Sequence, residues 1–237
     1  MSIELKYSIL IPAFEAEKYL SILLAQIYHM KPPPQEIFVV NDGSTDHTGI
    51  IAEKMGAIVI QHDKNKGKGA ALKTGFQSFL KKSESTYLLC MDADLQHPVE
   101  EIPKFLAHAE ENNRQFIIGN RLNQTHNMPL HRKISNRTTS YILSKLSGQH
   151  IQDSQCGYRL LHRNLLDDLD LKEDGFQLES EMILKASHKN ITIDFVNIKT
   201  IYNDASSQIR NIGDTLKFIF LVFRALMNKI PWFTKKN

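Results

Sequence analysis

Asp92 and Asp94 stand one residue apart after the apolar run Tyr87-Leu88-Leu89-Cys90-Met91, and Gln96 follows two residues later. A short, wholly apolar run of this kind reads as a parallel strand buried on both faces. The acids then emerge at its carboxyl end, the edge at which open α/β sheets bind ligands. Hard divalent cations prefer oxygen ligands and commonly bind through one or two carboxylates plus substrate phosphates. Asp92 and Asp94, with the Gln96 side-chain carbonyl, therefore form a candidate site for Mg²⁺ or Mn²⁺. Alone, an Asp-x-Asp pair is as readily two solvated loop acids, so its companions along the chain carry the argument.

Three other strand ends supply those companions. Pro12-Ala13-Phe14 follows Ser8-Ile9-Leu10-Ile11, where Phe14 is either a stacking surface for a base or a core aromatic. Asn41-Asp42-Gly43-Ser44-Thr45-Asp46 follows Ile37-Phe38-Val39-Val40. There Asp42 can accept hydrogen bonds from a nucleobase or ribose, while Asp46 or Thr45 can cap the next helix. Lys66-Gly67-Lys68-Gly69 precedes a helix, where backbone N–H groups and the helix N-terminus favour anions and lysines add charge. A solvated basic turn is the alternative, and the spacing is not that of a Walker loop.

The elements that must position these groups alternate. Strands are predicted at 8–11, 37–40, 57–61, 87–91 and 116–119, and helices at 18–30, 48–55, 70–82 and 98–112. That alternation predicts a mostly parallel sheet flanked by helices. Beyond Arg121 the pattern loosens: a polar loop over 123–132, a helix over 134–146, a strand over 157–161, a helix over 176–188 and an extended segment over 191–201. Residues 1–210 are expected to form one domain, with a nucleotide half to about 121 and an acceptor half from about 122 to 210. A C-terminal helix occupies 211–237.

The 237 residues are 42% hydrophobic and 23% charged, an ordinary globular composition, and a net charge of +3 gives no footing for a nucleic-acid partner. Two cysteines cannot build a disulfide framework and suit a reducing cytosol. Met1–Tyr7 lacks a signal-peptide pattern, and no run reaches the roughly 18–20 apolar residues of a membrane span. A cytoplasmic protein is expected, peripheral at the cytoplasmic face of a membrane if its C-terminal helix binds lipid.

Ile11-Pro12-Ala13-Phe14, Asn41-Asp42-Gly43-Ser44-x-Asp46-x-Thr48, Gly67-Lys68-Gly69-x-Ala71 and Asp92-Ala93-Asp94-Leu95-Gln96-His97-Pro98 occur in this order. Gly119-Asn120-Arg121, His131-Arg132-x-x-Ser135-Asn136, Asp153-x-x-Cys156-Gly157-Tyr158-Arg159 and Phe176-x-x-Glu179-x-Glu181 follow. From about residue 7 to 215 the chain resembles glycosyltransferase family 2, and within it the dolichyl- and polyprenyl-phosphate hexose synthases. The resemblance implies a GT-A fold, a nucleotide-sugar donor, a divalent cation and a polyprenyl phosphate acceptor. It assigns Pro12, Phe14 and Asp42 to the base pocket, and Lys66, Lys68, Asp92, Ala93 and Asp94 to the donor. Asp92, Asp94 and Gln96 would hold the metal, and Arg121 and Arg132 would grip the acceptor phosphate. The chain departs from the pattern at Asn41 and Glu15, at Ala16, and in the late Arg-x-x-Gly-x-Ser-Lys segment. There Arg210 is the candidate replacement cation, in a different register.

A lipid phosphate is already anionic near neutral pH, so catalysis by Asp94, Arg121 and Arg132 would be positioning and charge neutralisation, with inversion. A hydroxyl acceptor, as in surface-polysaccharide synthesis, would need a general base; Asp153 is the candidate, a turn acid the alternative. A silent nucleotide-sugar-binding subunit is the reading outside catalysis. Glu181 is expected to be structural. As a helix, 210–229 gathers Arg210, Asp214, Lys217, Arg224 and Asn228 on one narrow face and leaves the rest apolar, with Trp232, Lys235 and Lys236 beyond. It is read as an interfacial membrane helix or as a packing helix.

Overall fold

The short apolar runs between turn signals become the strands of one seven-stranded sheet, since a run apolar at every position can be satisfied only between two covered faces. The computed structural model describes residues 5–122, 130–201 and 211–229. The chain begins with β1 (Tyr7–Ala13), α1 (Glu17–Tyr28), β2 (Ile37–Asn41), α2 (Thr48–Lys54), β3 (Ile58–Gln61) and α3 (Lys68–Lys82). It continues through β4 (Tyr87–Cys90), a 3-10 turn at Val99–Glu101, α4 (Ile102–Asn112), β5 (Phe116–Asn120) and α5 (Leu130–Ser147). It ends with β6 (Arg159–His162), α6 (Arg163–Asp168), α7 (Leu178–His188), β7 (Ile193–Asn197) and α8 (Asn211–Lys229).

The strand order is β3-β2-β1-β4-β6-β5-β7. Six strands point the same way, and β6 runs antiparallel to both β4 and β5. The order reverses between β1 and β4, so the crevice at their carboxyl ends is the topological switch point where ligands bind in such sheets. The expected mostly parallel, helix-flanked sheet is therefore what forms.

Every predicted element up to residue 120 forms, within a few residues of its expected ends. Three features differ later. Helix α5 begins at Leu130, so Arg132 lies in its first turn instead of a loop. β6 begins two residues later than expected, and the six-residue α6 was not anticipated, being too short to show a helical period. The segments 123–129 and 202–210 fall outside the described residues.

Helix α1 buries Leu20, Leu23, Leu24 and Ile27, the spacing of one helical face. Helix α3 lies flush on the sheet, with Phe79 edge-on to Phe38 at 6.4 Å between ring centres. A Cβ added at Gly75 would lie 2.3 Å from Leu10 Cδ1, and Leu10 is wholly buried. At the opposite, amino-terminal edge the Glu36 carboxylate accepts from the Ser8 and Ser83 hydroxyls at 2.5 and 2.6 Å, closing that end with a satisfied polar cluster.

Gly75→Ala sets two effects against each other. Helix propensity favours alanine by about 1 kcal/mol, whereas overpacking a fixed core costs about 1–3 kcal/mol. Because Leu10 is wholly buried and three of its side-chain atoms lie within 3.0 Å of the added Cβ, net destabilisation is expected as a lower urea midpoint; an unchanged or raised midpoint would refute the tight seating of α3.

Candidate active site

The carboxyl edge of β4 presents the loop Asp92–His97. Asp94 Oδ1 accepts the Gln96 N–H at 3.0 Å across a turn in which Leu95 has φ +60°. A left-handed leucine costs about 1–2 kcal/mol, and here it permits the reversal that keeps both acids on one edge. His97 is buried and stacks on Tyr158 with ring centres 4.9 Å apart. Burial pushes its imidazole pKa down to about 4. The neutral ring can therefore accept through Nδ1, which faces the Asp92 N–H at 3.4 Å.

The two carboxylates titrate apart. Burial would raise Asp92, but the Lys68 ammonium, 2.7 Å from its Oδ1, holds it well below the usual carboxylate range. Asp94 is pushed up to about 6, by burial first and by the Asp92 charge second. Among the described residues no cluster of three His, Cys, Asp or Glu side chains is arranged to hold a metal. Two carboxylates and the nearby Gln96 instead fit the sparse protein share of a hard cation completed by substrate phosphates and water. They do not fit a protein-only cage.

Lys68 opens α3 and is only 17% exposed. Its ammonium also lies 3.0 Å from Glu179 Oε1, and its pKa is held above the lysine range: burial opposes the charge, and Asp92 and Glu179 outweigh burial. Gly157, in the lead-in to β6, closes this cluster from beneath. A Cβ there would lie 2.7 Å from Asp92 Oδ2 and 3.0 Å from Lys68 Nζ.

At the end of β5, Arg121 meets Asp153 in a two-pronged ion pair, Nε to Oδ2 at 2.8 Å and Nη2 to Oδ1 at 2.9 Å. The Arg121 N–H and the Asn136 amide also donate to this carboxylate, at 3.1 and 2.8 Å. Asp153 is fully buried. Burial alone would raise its pKa, but the Arg121 guanidinium outweighs this and holds it down. The expectation of a general base here does not suit the geometry: both oxygens are already engaged, and a depressed pKa makes a poor base. Behind this pair the buried Arg159 donates to the carbonyls of Ser154, Cys156 and Glu179, each at 2.8 Å, and ties the β6 lead-in to α7.

Asp42 differs from its expected setting. Its carboxylate is buried and accepts from the Lys66 and Gly67 N–H groups at 3.0 and 2.8 Å, with His62 Nδ1 at 2.6 Å. In this arrangement Asp42 ties the Lys66–Gly69 turn to β2. The turn itself departs from the expected anion cradle, because its Lys66 and Gly67 N–H groups are already donated to Asp42. The Ala70 N–H donates to the Asp174 carbonyl at 2.9 Å, and a Cβ on Gly67 or Gly69 would lie within 2.7 Å of Asp174 or Gly175 backbone atoms. These glycines serve close packing, and Lys66 stands exposed beside them.

Pro12 and Phe14 lie half-buried at the end of β1, beside this turn's strand, and Ala93 is buried behind the acids. Glu15 (φ +50°) accepts from the Thr45 N–H at 2.7 Å, and its own N–H donates to Ser44 Oγ at 3.0 Å, strapping the first two strand-end loops together. Asp46 accepts from the Thr48 N–H at the start of α2, as a cap does. Arg132 is half-buried in α5, Gln96 half-buried after the acids, and Arg210 lies outside the described residues. Sequence reasoning gave no role to Glu179, His62, Asn136 or Gly157; Glu179, Asn136 and Gly157 stood in quoted strings, but spacing does not reveal a partner across the fold.

Of the two readings offered for helix α8, packing on the protein is the one its contacts support. Leu221 is 3% exposed, and Arg224 pairs with Glu173 at 2.7 Å, so one side packs on the protein. Leu216, Ile219, Phe220, Phe223 and Leu226 form an exposed apolar arc on the other side, with Phe220 at 63%. No helix among the described residues is long and apolar enough to cross a membrane. Trp232, Lys235 and Lys236 lie outside the described residues.

Asp153→Asn leaves the Arg121 charge without its buried counter-ion, so a loss of about 3–5 kcal/mol in urea unfolding is expected. The Asp153 pKa is lower folded than unfolded, so its contribution is present above the unfolded carboxylate value and lost as pH falls through the folded one. The gap between wild type and variant should therefore narrow in acid; a gap independent of pH would refute the pairing.

The family model "Glycosyl transferase family 2" matches residues 8–170. An uncharacterised protein of Methanocaldococcus jannaschii is 33% identical, over 94% of this chain and 91% of its own length. The UDP-N-acetylglucosamine–dolichyl-phosphate N-acetylglucosaminyltransferase of Methanococcus voltae is 26% identical, over 94% of this chain and 96% of its own. Glucosyl-3-phosphoglycerate synthase from Mycobacterium tuberculosis, solved with Mn²⁺, UDP and glucosyl-3-phosphoglycerate, superposes with a TM-score of 0.72 at 19% identity. That superposition covers 94% of this chain and 79% of the other, and it establishes a GT-A-like fold. With the family model matched across both the β1–β4 crevice and the Arg121–Asp153 pair, the chain is a glycosyltransferase and belongs to family 2.

Proposed function

We propose that this enzyme transfers a hexose, with inversion, from a nucleoside-diphosphate sugar of the GDP-mannose or UDP-glucose type to a polyprenyl phosphate at a membrane surface. The observation that carries the reading is the state of Asp153. A hydroxyl acceptor needs a base, and the candidate base is locked in an ion pair, whereas a phosphate acceptor arrives anionic and needs a cation. Arg121, oriented by Asp153, supplies a planar guanidinium suited to phosphate, and Arg132 is the second grip. The name of the Methanococcus voltae relative supports the same acceptor class and adds a UDP-linked amino sugar to the donors worth testing.

Asp92 and Asp94, with Gln96, would hold Mg²⁺ or Mn²⁺, which when bound neutralises charge developing on the leaving diphosphate. Lys66 and Lys68 add fixed positive charge along the donor's phosphates. Pro12 and Phe14 line the base pocket, and Ala93 lets the diphosphate approach the loop. Asp42 holds the pocket's floor through its bonds to Lys66 and Gly67. Residues 1–210 form the catalytic domain. The exposed apolar arc of α8, flanked by Lys217, lies in the headgroup region at a cytoplasmic membrane face, where an amphipathic helix gains both apolar burial and charge attraction.

Purified enzyme incubated with Mn²⁺, polyprenyl phosphate and radiolabelled GDP-mannose, UDP-glucose or UDP-N-acetylglucosamine in parallel is expected to move label from one donor into the lipid phase. Asp94→Ala should lower that transfer by at least about a hundredfold, as loss of a metal ligand does. Label in an oligosaccharide and none in lipid would establish the saccharide-acceptor reading instead.

Mn²⁺ binding should also depend on pH. Asp94 titrates at about 6, and a ligand must lose its proton to bind metal. Affinity is expected to be level above about pH 7 and to fall as pH drops through 6; titration of free Mn²⁺ by EPR reads this directly, and a flat profile down to pH 5 would exclude Asp94 as a ligand.

A further inference from the structure

Lys68 and Glu179 form a charge arrangement that donor binding alone does not require. The ammonium sits between two carboxylates, 2.7 Å from Asp92 Oδ1 and 3.0 Å from Glu179 Oε1. Gly157, lacking a side chain, leaves the room that the ammonium occupies, since a Cβ there would lie 3.0 Å from Nζ. The Phe176 ring, 5.8 Å from Nζ to its centre, lies beside it. The root of the side chain is fixed, since Gly69, the next residue of α3, packs against the Asp174 and Gly175 backbone.

Glu179 is itself held in place, because its carbonyl accepts from the buried Arg159 guanidinium at 2.8 Å. Asp92 is therefore paired with an internal cation on the same carboxylate that a divalent ion needs. Glu179 offers that cation a second anchor within reach, with no large movement of the chain.

We propose that Lys68 is a resident cation that competes with the divalent metal for Asp92, and that Glu179 is the positioning residue that draws it aside as metal binds. The inference rests on the assignment of the cation to Asp92 and Asp94. Its consequence is a pair of opposite effects on binding of metal alone. Without the Glu179 charge, Lys68 is left to Asp92 alone and the site loses one negative charge, so metal binds less tightly. Without the Lys68 charge, the competitor is gone and metal binds more tightly, even as the donor loses a contact. A purely structural role for either residue would change stability and leave Mn²⁺ affinity where it was.

The test is EPR titration of Mn²⁺, without nucleotide, into the full-length wild type and the variants Glu179→Gln, Lys68→Gln and Lys68→Arg. Glu179→Gln is expected to weaken binding about tenfold, the lower end of outer-shell effects. Lys68→Gln is expected to tighten it, also roughly tenfold, while Lys68→Arg, which keeps the charge, stays within about threefold of wild type. The two lysine variants keep the test decisive should Glu179→Gln fail to fold. Shifts of the same sign in Glu179→Gln and Lys68→Gln, or no shift in Lys68→Gln, would overturn the inference alone provided that Asp94→Ala still abolishes binding. No Mn²⁺ binding by the wild type would overturn the metal assignment together with it.

Discussion

Because β6 runs antiparallel between β4 and β5, it begins at the edge where its neighbours end. The segment leading into it, Asp153 to Tyr158, is thereby delivered to the carboxyl edge from the opposite direction. That single reversal brings Asp153 to Arg121 at the end of β5 and Gly157 beneath Asp92 at the end of β4. It also sets Tyr158 against His97 and aims Arg159 at the carbonyl of Glu179. With a parallel β6 the same residues would lie at the far edge, and none of these contacts would form.

The second organising fact is that the charges at this edge are paired within the protein. Asp42 is held by two backbone N–H groups and His62, Asp92 by Lys68, and Asp153 by Arg121 and Asn136. Removing a carboxylate from water is costly unless its oxygens are hydrogen-bonded. Each of these groups meets that condition and is oriented by it. Asp94 is the contrast: burial and the Asp92 charge both raise its pKa, so of the two acids it has more to gain from a cation.

The loop over 172–177 links the remote helix to this edge. Arg224 of α8 pairs with Glu173, and one residue on, Asp174 accepts the Ala70 N–H at the start of α3. The helix with the exposed apolar arc is thus anchored to the strap on which the Lys68 turn packs.

Much of this protein was legible from residue order alone. The apolar runs ending in Ile11, Val40 and Met91 read as buried strands, so the acids and turns after them were expected to share one edge. The α1 spacing of Leu20, Leu23, Leu24 and Ile27 likewise left one helical face to bury. Short-range patterns of this kind need no partner to be read. Whatever depended on a partner distant in the chain was not legible. The strings containing Asp153 and Glu179 were visible, but the bonds to Arg121 and Lys68 span 32 and 111 positions and exist only because β6 is reversed and α7 packs behind it. Gly67 and Gly69 looked like an anion cradle because glycine signals close approach without naming what approaches; the fold placed Asp174 and Gly175 there. Sequence therefore determined the elements and the edge on which chemistry-bearing residues gather, through local hydrophobic periodicity. Tertiary structure alone decided which charges pair, because electrostatic contact depends on distance in space and not on separation along the chain.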